Sequence, residues 1–513
     1  MVTLRQILEE IDAEAGILRA TGTVEREIMG VTPDSRSVRP GWLFVAVAGA
    51  ETDGHRFVAD AVQRGAAAVM VERIEGNDPL AARTNPPALV CVTHGRRAMA
   101  LAAAVLHGWP ARSLRMIGVT GTNGKTTITY LIRSLLRAAG RRVGLMGTIG
   151  YAIDDDIVPA SHTTPESVVL QEWLGRMRVS GIQDVVMEVS SHALALERVA
   201  GCEYDVAVFS NLSQDHLDFH HSMEDYLAAK TRLFQGLFRS GHKTGEKRAV
   251  INGDDAYGRR ILEEAAGPVW SYGLGSGADI RAEAIEATPQ GIAFHCRTPR
   301  GTFVVRSPLL GRYNVHNILA AVAAGLHLGV TIEQAQAGVA ALAGVPGRFE
   351  RVEAGQPFTV VVDFAHTEDA LGRLLAAARE LRPRRILTVF GCGGERDAGK
   401  RGPMGRVAAR LSDWVVATSD NPRREDPRAI LSAVEAGIRA GMAYAGAAEG
   451  YDVIPDRRQA IERAISLAQP GDMVVLAGKG HEQYQVIGQE RLRFDDRVEA
   501  RAALVHLGKA STV

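Results

Sequence analysis

Cysteine is scarce in this sequence of 513 residues, and its four positions are far apart. Cys91, Cys202, Cys296 and Cys392 form no CxxC pair, so neither a zinc ribbon nor a disulfide framework is indicated. Such cysteine usage is typical of a reducing compartment, and we expect a cytoplasmic protein.

Long apolar runs and an excess charge of either sign are also missing. No apolar stretch approaches the roughly 20 residues that a membrane-spanning helix needs. Residues 1–16 form an amphipathic helical pattern with acidic side chains, which is unlike a signal peptide. The 59 Lys and Arg residues balance the 59 Asp and Glu residues. We therefore expect no membrane insertion and no nucleic-acid partner, and a monomer is the default expectation.

Apolar strand-like runs alternate with helical patterns along almost the whole chain, which predicts an α/β fold. Two junctions, 107–113 (HGWPARS) and 344–347 (GVPG), separate Ala-rich helical patterns from new strands. A chain of this length also needs more than one core. We predict three domains, formed by residues 1–112, 113–345 and 346–513.

A glycine-rich loop follows the apolar run 114–120 and precedes a helical stripe of apolar residues. Its residues are Gly121, Thr122, Asn123, Gly124, Lys125, Thr126 and Thr127. Between a strand and a helix, such a loop binds phosphate through backbone N–H groups and the lysine. Val119 occupies the position of the first glycine in the general pattern, and a glycine-rich turn with a surface lysine is the alternative.

Three further side chains of this segment are candidates for metal chemistry. Magnesium on nucleotide phosphates prefers oxygen ligands, for which Thr126 is the expected hydroxyl and Glu188, at the end of an apolar run, a carboxylate. His216 lies in a cluster of carboxylates and imidazoles at 211–220. Lys230 shares a helix face with apolar residues, so its ammonium must reach solvent, pair, or lose its charge. The alternatives are a Glu at a frayed strand end, a capping His and a snorkelling Lys.

Together these stretches resemble the Mur ligases, and the resemblance covers essentially the whole chain. It rests on GTNGKTT (121–127), MEVSSHAL (187–194), NLSQDHLDFH (211–220), YLAAKTRLF (226–234), GRYNVHN (311–317), PGRFE (346–350) and VDFAHTEDAL (362–371). The resemblance implies a central P-loop-type ATPase domain with a mostly parallel sheet. It also implies a C-terminal Rossmann-like α/β domain and a smaller N-terminal α/β domain that binds UDP.

The resemblance also implies roles for individual residues around ATP and Mg²⁺. Lys230 would be carbamylated, as N6-carboxylysine, and would hold magnesium together with Thr126, Glu188 and His216. Lys125, Glu188, His216 and Lys230 would be the catalytic residues. Outside the glycine-rich loop, ATP would contact Asn314, His316, Asn317, Arg348 and Asp363.

The stretch 31–49, followed by DGHRF (53–57), resembles the family's uridine-nucleotide-binding domain. The matching contacts to the UDP-linked substrate are Ser35, Arg36, Thr163, Thr164, Ser190 and Arg198. The sequence departs from the family pattern at Leu196, Phe364 and Glu368, so the contacts expected there are not carried over.

The run 420–423 (DNPR) resembles the family members that add meso-2,6-diaminopimelate. The implied contacts to this amino acid are Arg396, Asp420, Asn421, Pro422, Arg423, Gly478 and Glu482. The chemistry of arginine supports this assignment. A planar guanidinium can form two hydrogen bonds to the second carboxylate of diaminopimelate, a group that lysine lacks. Without the resemblance, the neighbouring run RREDPR (423–428) is read as a solvated helix start, with Asp426 as the cap and Pro427 in the first turn.

The implied activity is an ATP-dependent acid–amino-acid ligase of peptidoglycan precursor synthesis. It would join meso-diaminopimelate to UDP-N-acetylmuramoyl-L-alanyl-D-glutamate through an acyl phosphate. Three alternatives remain: a related ligase that adds L-lysine, a folate-directed ligase such as a folylpolyglutamate synthetase, and a nucleotide-dependent switch protein. The switch would hydrolyse ATP independently of any amino acid.

Overall fold

The computed structural model describes residues 2–49, 52–74, 86–239, 241–288, 290–444 and 446–508. The chain divides into two compact units. Unit 1 comprises Met1–Arg281, Arg297–Gly301 and His316–Gly338, and unit 2 comprises Ala282–Cys296, Thr302–Val315 and Val339–Val513. This division does not test the three predicted domain boundaries, which stay a prediction.

The first part of unit 1 is a small α/β layer built on a five-stranded sheet. Its elements are β1 (Val2–Thr3), α1 (Leu4–Ala15), β2 (Ile17–Thr21), β3 (Glu27–Ile28), β4 (Gly30–Thr32), β5 (Trp42–Val45), α2 (Val58–Gln63), β6 (Ala68–Val71), β7 (Ala88–Val92), α3 (Gly95–Leu106) and α4 (Pro110–Ser113). The strand order is β2-β7-β6-β5-β4, in which only β2 runs antiparallel to its neighbour. Apolar residues of α1 and α3 cover one face, and those of α2 cover the other.

The second part of unit 1 is a larger sheet with helices on both faces. Its elements are β8 (Arg115–Thr120), α5 (Lys125–Ala138), β9 (Val143–Met146), β10 (Gly150–Ile153), β11 (Asp156–Pro159), α6 (Ser167–Val179), β12 (Asp184–Glu188), α7 (Ser191–Ala195), β13 (Val206–Phe209), α8 (Leu217–His220), α9 (Met223–Leu237), β14 (Arg248–Asn252), α10 (Ala256–Glu264) and β15 (Val269–Gly273). The order is β11-β10-β9-β12-β8-β13-β14-β15, parallel from β9 to β15. Strands β10 and β11 form an antiparallel hairpin at the edge.

The position of β8 in this order explains where a ligand can bind. After β8 the chain crosses through α5 to β9, on the far side of β12, whereas β13 lies on the other side of β8. Ligands bind at the carboxyl ends of strands where such a change of direction occurs. The predicted apolar stripe of α5 is fully buried, at Ile128, Leu131, Ile132, Leu135 and Leu136.

Further strands and helices follow in the part of the chain that alternates between the two units. They are β16 (Ile280–Thr288), β17 (Gly291–Thr298), β18 (Gly301–Ser307), α11 (Asn314–His327) and α12 (Ile332–Ala341).

The rest of unit 2 is built on a sheet of six strands with helices on both faces. Its elements are β19 (Glu350–Arg351), β20 (Thr359–Asp363), α13 (Glu368–Glu380), β21 (Ile386–Phe390), α14 (Arg401–Leu411), β22 (Trp414–Ala417), α15 (Pro427–Gly441), β23 (Gly450–Val453), α16 (Arg457–Leu467), β24 (Met473–Ala477), β25 (Tyr484–Ile487), β26 (Glu490–Arg493) and α17 (Asp496–His506). The order is β19-β20-β24-β21-β22-β23, and the strands from β20 to β23 are parallel. Helices α13 to α15 cover one face and α16 and α17 the other. Strands β25 and β26 form a separate hairpin.

The predicted fold class is confirmed: the protein is α/β, and its larger sheets are mostly parallel. The apolar run 114–120 corresponds to β8, and the apolar run that ends at Glu188 corresponds to β12. Within the described residues, none of the helices combines the length and the apolar character that crossing a bilayer requires.

A fully buried ion pair joins two helices of unit 2. Arg457 donates from Nε and Nη2 to the two carboxylate oxygens of Asp496, at 2.7 and 2.6 Å, and both side chains are inaccessible to solvent. Arg457 also donates to the carbonyl of Ala477, the last residue of β24. A buried pair of this kind costs desolvation energy, but removing one partner leaves an uncompensated charge in the core.

We expect Asp496→Ala to destabilise unit 2 by about 3–5 kcal/mol, because the Arg457 guanidinium would remain buried without its counter-ion. The measurement is urea unfolding followed by circular dichroism. Asp369→Ala is the control in the same unit, since it breaks only the exposed pair with Arg373 and should leave the midpoint almost unchanged. Equal shifts in the two variants would contradict the expectation.

Candidate functional site

The glycine-rich loop after β8 is held by the segment that follows the neighbouring strand β13. The backbone N–H of Thr122 donates to the carbonyl of Asn211 at 2.8 Å, and that of Asn123 donates to the Asn211 side chain at 3.0 Å. Ser210 donates back to the carbonyl of Asn123 at 2.6 Å. The loop is thus fixed before any ligand arrives, with Gly124 at the N-terminal cap of α5.

Gly121 and Gly124 are glycines for a structural reason. Gly121 has φ +139°, and a Cβ there would meet the side chain of Ser210 and the backbone of Asn211. Gly124 has φ +88°, and a Cβ there would meet the amide of Asn317. Asn317 therefore lies beside the loop, and its contact with ATP stays a prediction.

Two lysines converge on one carbonyl of this loop. Lys125 Nζ donates to the carbonyl of Gly121 at 3.0 Å and to that of Thr122 at 2.8 Å. Lys230 Nζ, on α9, donates to the same Gly121 carbonyl at 2.9 Å. Lys230 is only 1% exposed, and its ammonium lies 4.5 Å from the ring centroid of Tyr226.

The surroundings of Lys230 disfavour its charged form. Burial, with a smaller contribution from the charge of Lys125, lowers the pKa of Lys230 well below the usual value for lysine. The structure thus rules out the snorkelling alternative for this side chain. A neutral amine is a nucleophile, which is the form that reacts with carbon dioxide to give a carbamate.

Glu188 ends β12 and faces the loop that follows β9. Its carboxylate accepts hydrogen bonds from the backbone N–H of Thr148 at 2.8 Å and from the Thr148 hydroxyl at 3.1 Å. The residue is 1% exposed, so the alternative of a frayed strand end is wrong. The Thr148 hydroxyl also contacts that of Thr163 at 3.1 Å.

The predicted substrate contacts Thr164, Ser190 and Arg198 are near one another. The Thr164 hydroxyl contacts the carbonyl of Glu188 at 2.8 Å and Ser190 Oγ at 3.3 Å. Arg198 donates to the carbonyl of Thr164 at 3.2 Å and pairs with Glu166 at 2.5 Å. Ser190 and Arg198 are therefore linked through Thr164 to the backbone of Glu188 at the end of β12.

His216 lies in the left-handed backbone region, with φ +53°, at the cap of α8. Its ring is 4.8 Å from that of His192 and 6.2 Å from that of Tyr226, and its Nε2 is 3.5 Å from Asp215. His220 packs on Tyr226 with a centroid distance of 5.0 Å. The sequence reading missed Tyr226, whose hydroxyl shares a hydrogen bond with Thr122 at 3.2 Å.

The side chains around the loop suit a magnesium ion only in company with a nucleotide. Within the described ranges, no group of three or more His, Cys, Asp and Glu side chains is arranged to hold a metal ion. The residues fit a magnesium ion that takes several ligands from nucleotide phosphates, since such ions need only one or two protein carboxylates. Glu188 would supply one carboxylate, and Lys230 would supply another only as a carbamate.

In the N-terminal layer, Ser35 and Arg36 form a turn capped by Asp34. Arg36 donates to both carboxylate oxygens of Asp34, at 2.9 and 2.8 Å, and its side chain is 82% exposed. Ser35 is buried, and its hydrogen bond to the Asp60 carboxylate lowers the pKa of that group. The two predicted UDP contacts thus differ: one is a fixed hydroxyl and the other is an exposed cation.

The predicted ATP contacts outside the loop occupy different settings. His316 Nε2 is 2.8 Å from a carboxylate oxygen of Asp254 in unit 1. Asn314 belongs to unit 2 and donates to the carbonyl of Leu310 at 2.6 Å. The Arg348 guanidinium lies over the ring of Phe364, 5.0 Å from its centroid. The Asp363 carboxylate accepts hydrogen bonds from the backbone N–H groups of Phe349 and Ala365.

In unit 2, polar residues gather at the carboxyl ends of β22 and β24. Asn421 donates from Nδ2 to Glu482 at 3.0 Å, and its Oδ1 accepts from the backbone N–H of Val486 at 2.9 Å. Lys479 Nζ lies 3.4 Å from Asp420, 3.2 Å from Asn421 and 3.2 Å from Glu482. The sequence reading did not single out Lys479.

The Arg423 backbone is held by the hairpin β25–β26. Arg423 has φ +53°, and its N–H donates to the carbonyl of Val486 at 3.0 Å, while its carbonyl accepts from Gly488 at 2.7 Å. Its guanidinium donates to the carbonyl of Gly394 at 2.7 Å. The predicted alternative also holds locally, because Asp426 caps α15 and Pro427 begins it.

The other predicted amino-acid contacts surround this loop. Arg396 is exposed, in the segment after β21. Pro422 accepts a hydrogen bond from the backbone of Glu425. Gly478 has φ +114°, and a Cβ there would lie 4.0 Å from a carboxylate oxygen of Asp420.

Comparison with known protein families gives three matches along the chain. Residues 27–105 match "Mur ligase family, catalytic domain", residues 119–325 match "Mur ligase middle domain", and residues 347–480 match "Mur ligase, glutamate ligase domain".

Relatives of similar length are also found. A UDP-N-acetylmuramoyl-L-alanyl-D-glutamate--2,6-diaminopimelate ligase from Geobacillus thermodenitrificans is 48% identical over 478 residues, covering 93% of this chain and 95% of that protein. A ligase of the same name from Geobacter metallireducens is 46% identical over 509 residues, covering 98% of each. A solved structure with that name has a TM-score of 0.71 and 34% identity, covering 99% of each chain.

The geometry of the glycine-rich loop predicts the effect of a single added methyl group. Gly121→Ala should weaken nucleotide binding by roughly 5- to 150-fold, because strained backbone of this kind costs about 1–3 kcal/mol. The measurement is calorimetric titration with ADP. Gly140→Ala is the matched control, since Gly140 also has positive φ, at +74°, but has open space around it. Equal ADP affinity in the two variants would overturn the role given to Gly121.

Proposed function

Since the chain belongs to the Mur ligase family, we propose that it joins meso-2,6-diaminopimelate to the D-glutamate γ-carboxylate of UDP-N-acetylmuramoyl-L-alanyl-D-glutamate, with ATP as co-substrate. It is an ATP-dependent amide-bond-forming ligase of peptidoglycan precursor synthesis. The observation that carries the proposal is identity of 46–48% to diaminopimelate ligases along nearly the whole chain. The polar cluster at the carboxyl ends of β22 and β24 supports the choice of amino acid.

The reaction proceeds in two steps. A carboxylate oxygen of D-glutamate attacks the γ-phosphorus of ATP, so that an acyl phosphate forms and ADP leaves. An amine of diaminopimelate then attacks the acyl carbon, phosphate leaves, and the amine loses a proton to give the amide. Carboxylates need this activation because they are poor acyl donors.

Residues of unit 1 serve the first step through charge and position. The loop 121–127 presents backbone N–H groups and the N-terminus of α5 to the phosphates, and Lys125 adds a positive charge. Thr163, Thr164, Ser190 and Arg198 orient the muramoyl dipeptide. Most of the rate enhancement in phosphoryl transfer comes from such positioning and from stabilising the developing charge.

We also propose a Mg²⁺ requirement. Thr126, Glu188, His216 and carbamylated Lys230 would hold the metal together with phosphate oxygens. When bound, magnesium neutralises charge on the phosphates and the attacking carboxylate. The hydrogen bonds from Thr148 keep the Glu188 carboxylate in one orientation for this purpose.

Residues of unit 2 choose the amino acid. Arg423 binds the distal carboxylate of diaminopimelate through its guanidinium, and Arg396 assists it. Asp420 and Glu482 attract the ammonium of the same distal group, and Asn421 donates to Glu482. Lysine has no distal carboxylate, so its bare ammonium would face Arg423 and be repelled.

The decisive test is phosphate release from ATP in the presence of the UDP-muramoyl dipeptide, with meso-diaminopimelate, with L-lysine, or with no acceptor. We expect phosphate release with diaminopimelate to exceed release with lysine by at least about 100-fold. A site that binds the distal carboxylate of diaminopimelate is left with an unpaired polar group when lysine, which lacks that carboxylate, occupies it. Equal release in all three reactions would point to a nucleotide-dependent switch. Faster turnover with lysine would reject the selection of diaminopimelate.

In the same assay, Arg423→Ala should raise the diaminopimelate KM by at least about tenfold, since a charged hydrogen bond is lost. The ATP KM should change little. Arg424→Ala, at the adjacent arginine, is the matched control. An unchanged diaminopimelate KM in Arg423→Ala would contradict the assignment.

The carbamate on Lys230 is the second testable element of the proposal. Lys230→Ala should reduce kcat by roughly 100-fold or more, because a ligand charge at the phosphates is lost. Intact-protein mass spectrometry under native conditions with ¹³C-bicarbonate should detect one carbamate, absent from the variant. Lys247→Ala, at a partly exposed lysine, is the control. Full activity of Lys230→Ala would exclude the carbamate role.

A further inference from the structure

Lys479 is a fully buried cation at the carboxyl end of β24. Its side chain has no solvent exposure, and its ammonium has oxygen partners on three residues, Asp420, Asn421 and Glu482. A lysine ammonium carries three N–H donors, so the three partners match its full capacity. All three belong to the proposed amino-acid pocket.

We propose that Lys479 is a positioning residue that sets the charge and the shape of the amino-acid pocket, so that the pocket accepts a zwitterionic group instead of a lone ammonium. This inference rests on the proposed function and deepens it, since it adds a determinant of specificity that does not touch the distal carboxylate.

The formal charges of the side chains around Lys479 determine the net charge of the pocket. Asp420 and Glu482 together contribute two negative charges, and Lys479 offsets one of them. Arg457, another fully buried cation of unit 2, has its own counter-ion in Asp496. The cluster therefore retains one net negative charge, which matches the one ammonium of a distal amino-acid group, while Arg423 matches its carboxylate.

The hydrogen bonds of Lys479 also help to orient the side chains of the pocket. Asn421 could present either end of its amide to Glu482, because its oxygen and nitrogen are similar in shape. Lys479 and the N–H of Val486 both require the oxygen, which turns the Nδ2 donor towards Glu482. Gln485 adds a hydrogen bond from its Nε2 to the carbonyl of Asp420 at 2.7 Å. Lys479 thus fixes the side chains that we propose contact the amino acid.

Without Lys479, the cluster would carry two negative charges. A pocket of that charge favours the bare ammonium of lysine and disfavours the carboxylate of diaminopimelate. A residue that only filled space would lose affinity for both amino acids alike. The preference between the two amino acids therefore separates the proposed role from a merely structural one.

The experiment measures kcat and KM for diaminopimelate and for L-lysine in the wild-type chain, Lys479→Met and Lys479→Arg. For Lys479→Met we expect the diaminopimelate KM to rise at least about tenfold, the loss typical when one partner of a buried charge pair is removed. The ratio of kcat/KM for diaminopimelate to that for lysine should fall at least about tenfold, and the ATP KM should change less than about twofold. Lys479→Arg keeps the charge and should recover most of the preference.

Two further variants keep the inference falsifiable. Arg457→Met removes another buried cation of unit 2 and should lower stability while leaving the amino-acid preference of the folded protein unchanged. The double variant Lys479→Met/Glu482→Gln restores one net negative charge, so its preference for diaminopimelate should exceed that of Lys479→Met. If Lys479→Met does not fold, Lys479→Gln takes its place, because its amide keeps N–H donors for the neighbouring oxygens without the positive charge, and the same tenfold fall in the ratio is expected.

The outcomes are distinguishable from failure of the proposed function. If the wild-type chain shows no preference for diaminopimelate, the function itself is wrong. If the wild type prefers diaminopimelate and Lys479→Met keeps the wild-type ratio, the inference is overturned while the function stands. A double variant that prefers lysine to diaminopimelate would also overturn it.

Discussion

The cost of burying an ammonium group governs the candidate site residues of each unit. Removed from water, a lysine must gain oxygen partners of opposite charge or give up its proton. Lys230 donates to the carbonyl of Gly121, which also accepts from Lys125, and burial lowers the pKa of Lys230 well below the ordinary value. Lys479 instead has two carboxylates and an amide oxygen within 3.4 Å. The same side chain is therefore suited to become a carbamate in one place and a structural counter-ion in the other.

Parallel sheets explain why such groups occur together. In unit 1, β8, β12 and β13 end side by side, so the loop 121–127, Glu188 and the segment at 210–216 meet at one edge. In unit 2, β24 lies beside β21, and β22 lies on the other side of β21, so the segments at 391–396, 420–423 and 478–482 meet likewise. Strand order, rather than distance along the chain, determines which polar side chains are neighbours.

The sequence predicted the strands because continuous apolar runs of four to eight residues are typical of strands covered on both faces. It predicted the loop 121–127 because glycine, lysine and threonine stand there at a fixed spacing. It could not find Tyr226, since its spacing on α9 is that of any apolar contact, and its hydroxyl contact with Thr122 arises only when α9 packs beside β8. Lys479 was missed for a similar reason, because nothing in a glycine-rich loop reveals that its lysine is buried. The assigned ligand roles of the individual residues stay predictions.

The departure from the family pattern at Phe364 lies beside contacts that the structure retains. The Phe364 ring lies against the guanidinium of Arg348 and 5.2 Å from the ring of His481. The face of an aromatic ring attracts a cation, so the phenyl ring helps to hold this arginine. The backbone N–H groups of Phe349 and Ala365 still bind Asp363, so the carboxylate keeps its orientation whatever ring follows it. At this strand end the orientation of the carboxylate therefore depends on backbone N–H groups and not on the side chain of residue 364.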